Sequence, residues 1–484
     1  MKPRGVWPGL AAAVLVFAFG AVPLTAENVV TIRSNGDPAN RVDIMILGDG
    51  YTASEMVRYA GDVENFIRGF FGQKPFLEYE PYFNVHRIDV VSPESGADHP
   101  SRGIYKNTAL DATYESGGIA RLLVVNNTKV DQILNSSTAP DQRDIVVIVV
   151  NDLEYGGSGG RFAVASVHPS VVELVLHEAG HSFGLLADEY DSTPPACDSA
   201  TEPSQVNVTK QTSRSLIKWN SGGGPPFGWI DFQTPVPTTG FVPSVPGLFE
   251  GAKYCRTGLF RPTFNSKMRS LSVPFDPINE EQLVKRIYNR VSPLDSFGPA
   301  EGNLILDAEN IVVFRAEVPR PASHALQITW LLDGETAASG AKSFSPSIPD
   351  GRRTHRVELL VQDPTPMVRL DTEALLQERK IWNVRLGRIA APPDFQGVRI
   401  LNRTFSQAEF IDRLTWKSPP GADDILQYRI SVKSGDSWVL LANTKADVLE
   451  YRHRLIDRGK AYEYAVTAVD EAGIEGLSAV VIVK

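Results

Sequence analysis

The sequence predicts an α/β, or α+β, domain in its N-terminal half, followed by two all-β sandwich modules. Short apolar runs typical of buried strands alternate with helix-like segments in the first half. One strongly apolar helix there carries the most chemically specific motif of the chain. In the C-terminal part, short segments of alternating polarity recur between turns, which is typical of sandwich strands. A length of 484 residues is compatible with about three domains.

The composition is that of a globular protein. Hydrophobic residues make up 42% of the chain and charged residues 22%, so sizeable cores can form. The formal net charge of -9 disfavours a nucleic acid partner, because the phosphate backbone attracts basic surfaces.

The first 26 residues have the pattern of a signal peptide. Lys2 and Arg4 precede an apolar run from Leu10 to Val22, and we expect cleavage after Ala26. The run is too short to span a bilayer comfortably, and no later segment reaches spanning length. The sequence therefore predicts an exported protein, either secreted or periplasmic, with no transmembrane segment after the signal is removed.

The two cysteines of the chain are predicted to form a disulfide. Cys197 and Cys255 are an even pair in a chain expected to leave the cytosol. Their spacing matches no paired-cysteine zinc pattern, so a metal role is the weaker interpretation.

The first domain is predicted over residues 27–297. Its predicted strands are Arg41–Leu47, Tyr82–Val91, Asp144–Val150 and Arg161–Val167, and its first helix runs from Met56 to Phe71. A long irregular region is expected from Asp191 to about Pro262. Asp276 and Pro277 then begin a last helix that ends near Val291.

A second helix in this domain should be buried and rigid. We expect Ser170 to cap it, with Glu173 completing a capping box, and Gly184 to end it. The apolar residues between these positions cover more than one face of the helix. Rigidity of this kind is what a metal site needs.

Two β-sandwich modules are predicted after residue 297. Residues 298–387 look immunoglobulin-like but carry no paired cysteines. Residues 388–484 resemble a fibronectin type III module, with Trp416 as the core tryptophan and Tyr462 and Tyr464 on a late strand. As a hypothesis, these modules act as spacers or contact a cell surface or matrix.

The motif on the rigid helix lies in Leu176–Tyr190, LHEAGHSFGLLADEY. His177 and His181 are four residues apart and therefore lie on one helix face, about 40° apart around the axis. One zinc ion can take both imidazoles, and a catalytic zinc usually has three protein ligands and a water. Glu178, beside the first histidine, is the natural general base for that water.

Several separated motifs support a family resemblance. They are, in order, GDGY from Gly48, NVHRIDVVS from Asn84, SGADH from Ser95, YGGSGG from Tyr155, and the motif HEAGHSFGLLADEY. Together they resemble the bacterial IgA peptidase family of secreted zinc metallopeptidases. The resemblance implies a metzincin-like zinc endopeptidase fold with a methionine turn beneath the metal, for which Met268 is the matching position.

The third zinc ligand departs from the general metzincin pattern. That pattern places it three residues after the glycine, where this chain has Ala187, which cannot bind metal. Asp188 is the preferred candidate and Glu189 the second, with a distant acid such as Glu280 or Glu281 as a further alternative. The remaining carboxylate should then be structural. Tyr190 could bind the oxyanion, although packing under the site is favoured.

The sequence thus predicts a secreted zinc metalloendopeptidase that acts on protein or peptide substrates. Glu178 would be its general base, and His177, His181 and Asp188 its zinc ligands. We expect the strand Arg161–Val167 to be the sheet edge along which an extended substrate pairs. The main alternative is a surface adhesin or glycan-binding protein with a non-catalytic metal domain, and a third is a metal-dependent amidase that acts on cell-wall peptides.

Overall fold

The computed structural model describes residues 27–191, 197–220, 245–306, 311–348, 352–403, 408–454 and 456–484. The predicted signal peptide, residues 1–26, lies outside the described residues. None of the helices in the described ranges is long and apolar enough to cross a membrane.

A six-stranded sheet forms the centre of the N-terminal part. Its strands are β1 (Asn28–Arg33), β2 (Val42–Asp49), β3 (Phe83–Asp89), β4 (Ile145–Val150), β5 (Gly157–Ser158) and β6 (Ala163–Ser166). Their order is β1-β3-β2-β4-β6-β5. The four central strands run parallel, whereas β1 and β5 are antiparallel to their neighbours.

Helices cover both faces of this sheet. They are α1 (Met56–Phe70), α2 (Asn127–Ser137), α3 (Val171–Ser182) and α4 (Pro277–Tyr288). Alternate residues of β2 enter different cores: Ile44 and Ile46 pack with α1, α3 and α4, whereas Met45 and Leu47 pack with α2. Burial on both faces explains why the central strands are apolar throughout, as parallel sheets covered by helices require.

The prediction that Arg161–Val167 forms an edge of the sheet is wrong. Strand β6 pairs with β4 on one side and with β5 on the other. The short strand β5 is in turn bridged by Leu122, which pairs with Gly157. The glycine of β5 lets this strand lie close against β6, because a Cβ on Gly157 would lie 2.5 Å from the carbonyl oxygen of Val164.

The region expected to be irregular from residue 191 to 262 contains a hairpin. Strands β7 (Phe249–Ala252) and β8 (Cys255–Arg261) pair antiparallel. The two residues of its turn, Lys253 and Tyr254, have φ values of 47° and 67°. Turns of this kind usually hold glycine or asparagine, so the sequence carries no turn signal here.

Two sheets pack against each other after residue 295. One contains β10 (Asn303–Leu306), β12 (Gln327–Leu332), β13 (Glu335–Ser339), β15 (His355–Gln362) and β16 (Gln377–Leu386). The other contains β9 (Ser296–Gly298), β11 (Phe314–Glu317) and β14 (Ser343–Phe344). Their shared core includes Trp330 and Trp382.

The last seven strands also form two sheets around one core. A three-stranded sheet has β17 (Gln396–Arg403), β18 (Ala408–Thr415) and β21 (Glu450–Arg454). A four-stranded sheet has β19 (Ile425–Ser434), β20 (Ser437–Lys445), β22 (Tyr462–Asp470) and β23 (Glu475–Val483). Trp416 and Tyr464 are buried in this core, and Tyr462 packs beside it.

The first β-rich part docks on the α/β part through a buried polar cluster. The carboxylate of Asp363 accepts hydrogen bonds from Tyr79 at 2.7 Å and from Tyr288, the last residue of α4. His324 lies between this carboxylate and that of Glu78, with distances of 2.7 and 2.9 Å. These contacts fix the C-terminal end of α4.

Candidate metal centre and active site

Helix α3 brings His177 and His181 together as the spacing predicts. Their Nε2 atoms are 3.1 Å apart. The expected capping box is absent, since Ser170 makes no side-chain cap bond. Glu173 instead accepts hydrogen bonds from the side chain of Lys267 and the backbone N–H of Ser272. The carboxylate therefore ties α3 to a distant turn and not to its own first residue.

Asp188 is the third member of the group. The chain leaves α3 through Leu185, whose φ of 56° lets it turn back toward the helix, whereas Gly184 permits a close approach to the carbonyl of Gly180. Oδ1 of Asp188 then lies 3.2 Å from Nε2 of His177 and 3.1 Å from Nε2 of His181. Among the described residues this is the one set of three such side chains arranged to hold a metal ion.

The geometry of these three atoms fits a tetrahedral zinc site. Zinc bonds of about 2.0–2.1 Å place neighbouring ligand atoms about 3.3 Å apart. The three observed separations, 3.1, 3.1 and 3.2 Å, are close to that value.

The chemistry of the donor set also fits a metal. Nδ1 of His177 faces the carbonyl of Lys267, and Nδ1 of His181 faces the carbonyl of Leu186, each at 2.8 Å. A carbonyl only accepts, so both Nδ1 atoms must donate, and in the neutral rings both Nε2 atoms carry lone pairs. Two lone pairs and a carboxylate oxygen thus converge on one point, which is the donor set that a bound metal ion needs.

The electrostatics of the group keep the Asp188 carboxylate ionised beside the two imidazoles. Burial alone lowers the pKa of His181, but the Asp188 carboxylate outweighs burial and raises it. Burial alone raises the pKa of Asp188, but contact with the two imidazoles holds it well below its usual range. The imidazoles and the ionised carboxylate therefore attract each other.

Met268 lies beneath α3 at the position that the resemblance indicates. It is fully buried, and a Cβ added to Gly180 would lie 2.4 Å from its sulfur. Its carbonyl accepts the N–H of Glu189 at 2.8 Å. The Met268 turn thus contacts both the helix and the segment that carries Asp188.

Glu189 points away from the histidines. Its carboxylate accepts hydrogen bonds from Asn207, Ser266 and Asn279 at 2.6–2.9 Å. Burial raises the pKa of this fully enclosed group above its usual range. The other alternative ligands also lie outside the metal group: Glu281 pairs with Lys285 and Arg369, and Glu280 is on α4.

Two tyrosines line the site, Tyr190 and Tyr254, and the sequence predicted only Tyr190. The ring of Tyr190 stacks on that of His177 with centroids 6.5 Å apart. Tyr254, at the tip of the β7–β8 hairpin, donates a hydrogen bond from its hydroxyl to Oδ2 of Asp188. Burial raises the pKa of Tyr254, so its hydroxyl keeps the proton that it donates. Tyr254 lies in no recognisable motif. The adjacent Cys255 is the one nearby sequence feature that could have indicated its place at the site.

The hairpin is held against the site in two ways. The N–H groups of Lys253 and Tyr254 donate to the carbonyls of Asp188 and Tyr190, each at 3.0 Å. Cys255 forms a disulfide with Cys197. These links place the tyrosine hydroxyl beside the carboxylate.

Glu178 lies in the cleft next to the metal group. A cavity of about 770 Å³ is lined by Glu178, His177, Tyr190 and Tyr254, together with residues of three other segments. A Cβ added to Gly159 would lie 1.7 Å from Oε2 of Glu178. The glycine-rich segment around β5 therefore closes over the carboxylate, and only glycine leaves room for it.

Comparison with known proteins gives a match between the N-terminal part of the chain and a peptidase family. Residues 30–242 match the family described as IgA Peptidase M64, and the HEAGHSFGLLADEY motif lies within the match. The match indicates a peptidase, which is a hydrolase. It confirms the resemblance to the IgA peptidase family over that part of the chain.

Other comparisons concern the remainder of the chain. No curated protein matches the chain. It is similar to a solved Fn3-like protein from Clostridium thermocellum, at 25% identity over 20% of this chain and 94% of that one, with a TM-score of 0.16. A two-domain fibronectin type III segment of chicken tenascin is 10% identical over 40% of this chain and 98% of that one, with a TM-score of 0.21.

Proposed function

We propose that this protein is an exported zinc-dependent endopeptidase, with zinc held by His177, His181 and Asp188. The observation that carries the proposal is the convergence of two imidazole lone pairs and one carboxylate oxygen at tetrahedral spacing. The match of residues 30–242 to a peptidase family supports it.

Bound zinc supplies a Lewis acid that polarises a peptide carbonyl and makes water more acidic. The residues of the chain do the remaining work. The carbonyls of Lys267 and Leu186 hold both rings in the tautomer that binds metal. Tyr254 orients the Asp188 carboxylate through its hydroxyl.

Glu178 is the proposed general base. Its carboxylate lines the same cleft as His177, where it would take the proton of a water activated by the metal. It accepts the proton of that water and delivers it to the amine that leaves. The cleft is large enough for several residues of an extended peptide, which favours a protein or peptide substrate.

The proposal is tested by comparing wild-type protein with Glu178→Gln, using unfolded casein as substrate. We expect about one zinc per chain in both proteins, and loss of hydrolysis by a factor of about a hundred or more in the variant. Glu154→Gln, a change of the same kind outside the cleft lining, should leave hydrolysis unchanged. Equal inactivity of wild type and Glu178→Gln at full zinc content would contradict the proposal and favour a non-catalytic binding protein.

A further inference from the structure

We propose that the cleft binds a carboxylate of the peptide substrate through two arginines, Arg121 and Arg269. The inference rests on the proposed peptidase function and names the substrate chemistry of that same site. Both arginines line the cavity that contains His177 and Glu178.

Arg121 reaches the cleft from the segment that precedes α2. Its carbonyl accepts the N–H of Gly157 at 3.2 Å, and its neighbour Leu122 bridges the same residue. The backbone is thus fixed beside β5, whose flanking Gly159 lies against Glu178. The side chain of Arg121 is exposed and has no ion pair with any described residue.

Arg269 reaches the same cavity from the Met268 turn. Its N–H donates to the carbonyl of Ser266 at 2.9 Å, so its backbone is fixed too. The nearest carboxylate, that of Asp191, is 3.8 Å away and itself partly exposed. Nε of Arg269 is buried without a hydrogen-bond partner among the described residues. This guanidinium can therefore still donate hydrogen bonds to a carboxylate of the ligand.

The charge balance of the cavity is opposite to that of the chain. Apart from the histidine of the metal group, its charged lining residues are the two arginines and Glu178, whereas the whole chain carries -9. Ile119, Leu174 and Leu271 supply apolar surface. An arginine fork pairs with a carboxylate in two parallel hydrogen bonds, which an amide cannot reproduce with equal strength. The lining therefore selects an acidic peptide.

Two sources of carboxylate are distinguished by the peptides used. One pair carries Glu or Gln near the cleaved bond, with both ends of the peptide blocked. A second pair has neutral side chains and either a free or an amidated C-terminus. We expect a preference of about tenfold or more in kcat/KM for the charged member of at least one pair, decreasing as salt is added. The pair that shows it identifies the source.

Variants assign the preference to the arginines. Arg121→Gln should reduce it by about tenfold, and Arg121→Lys should restore part of it, because lysine keeps the charge but loses the fork. Arg269→Gln should also reduce the preference. If this variant fails to fold because it loses the contact with Asp191, the Arg121→Gln variant still tests the inference. Arg102→Gln, which removes the same charge outside the cleft lining, is the matched control and should leave the preference unchanged.

Binding separates this inference from the proposed function. Fluorescence anisotropy of the same labelled peptides on Glu178→Ala protein measures the preference without hydrolysis. Absence of hydrolysis with every peptide would contradict the peptidase proposal, whereas the binding preference would still support the carboxylate site. Equal hydrolysis and equal binding of both members of each pair, or a preference that is undiminished in Arg121→Gln, would overturn the inference.

Discussion

Nδ1 of His177 donates a hydrogen bond to the carbonyl oxygen of Lys267 over 2.8 Å, which joins α3 to the Met268 turn. The same lysine binds Glu173 of α3 through its side chain. Because one residue holds the helix at two points, the imidazole cannot rotate without moving the turn. The ring of His177 is therefore held rigidly in the metal group.

Gly159→Ala should slow hydrolysis without removing zinc. The new methyl group would lie 1.7 Å from Oε2 of Glu178, so the carboxylate must rotate away from its position. We expect kcat to fall by about tenfold to a hundredfold, because small displacements of a catalytic group are costly. Steady-state kinetics and metal analysis check both parts. Gly61→Ala on α1, where a Cβ meets nothing within 4 Å, is the control. Unchanged kcat in Gly159→Ala would be evidence against Glu178 as the base.

Tyr254→Phe should weaken zinc binding. The change removes the hydroxyl that binds Oδ2 of Asp188 and keeps the ring. Loss of such a supporting hydrogen bond typically costs about 10- to 100-fold in metal affinity. Competition with a chelator of known affinity measures the change. Tyr105→Phe, at an exposed position, should have no effect. An unaltered zinc Kd in Tyr254→Phe would show that Asp188 needs no such support.

Removing the disulfide should destabilise the α/β part. Cys197 and Cys255 are separated by 58 residues, for which chain entropy predicts a stabilisation of about 4 kcal/mol. Urea unfolding of the double variant Cys197→Ser with Cys255→Ser should show a decrease of up to that size in the free energy of unfolding. Reductant should reproduce the decrease in wild type and leave the double variant unaffected. A wild-type protein insensitive to reductant, with the bond shown to be broken, would contradict this expectation.

Glu280→Gln should make stability less dependent on pH. Burial, assisted by Asp276 and opposed by Lys74, raises the pKa of Glu280 to about 7 from 4.5. The folded state thus binds this proton more tightly than the unfolded state. The contribution of this proton to the free energy of unfolding is full below about pH 4.5 and is lost as the pH rises to about 7.

The glutamine variant should therefore exceed wild type in free energy of unfolding at pH 8 by at most about 3 kcal/mol. Urea unfolding at pH 5 and pH 8 measures the difference, with exposed Glu373→Gln as control. A constant difference between the two variants at both pH values would contradict the assignment.

Local patterns were sufficient to predict the four parallel central strands of the sheet and the grouping of the two histidines. The run from Ile145 to Val150 is apolar because both faces of β4 are covered, and that property is visible in sequence. The i, i+4 spacing of His177 and His181 fixes their common face in any helix. Asp188 was preferred over Glu189 on its position in the motif, and the structure places it with the histidines.

Long-range contacts explain what the sequence analysis missed. Glu173 binds Lys267, 94 residues away. No local sequence pattern indicates that Glu173 makes this contact and does not cap the helix together with Ser170. The hairpin with Tyr254 has non-glycine residues at positive φ, so its turn follows none of the usual preferences. Strand β5 has two residues and becomes recognisable only when paired with β6.

The central claim is a zinc ion held by His177, His181 and Asp188. An anomalous-scattering map measured at the zinc edge, on crystals grown with zinc, tests it most directly. The account predicts one peak about 2.0–2.2 Å from both Nε2 atoms and from a carboxylate oxygen of Asp188. No peak between the two rings at full zinc supply, or a peak held there by a different acid, would contradict it.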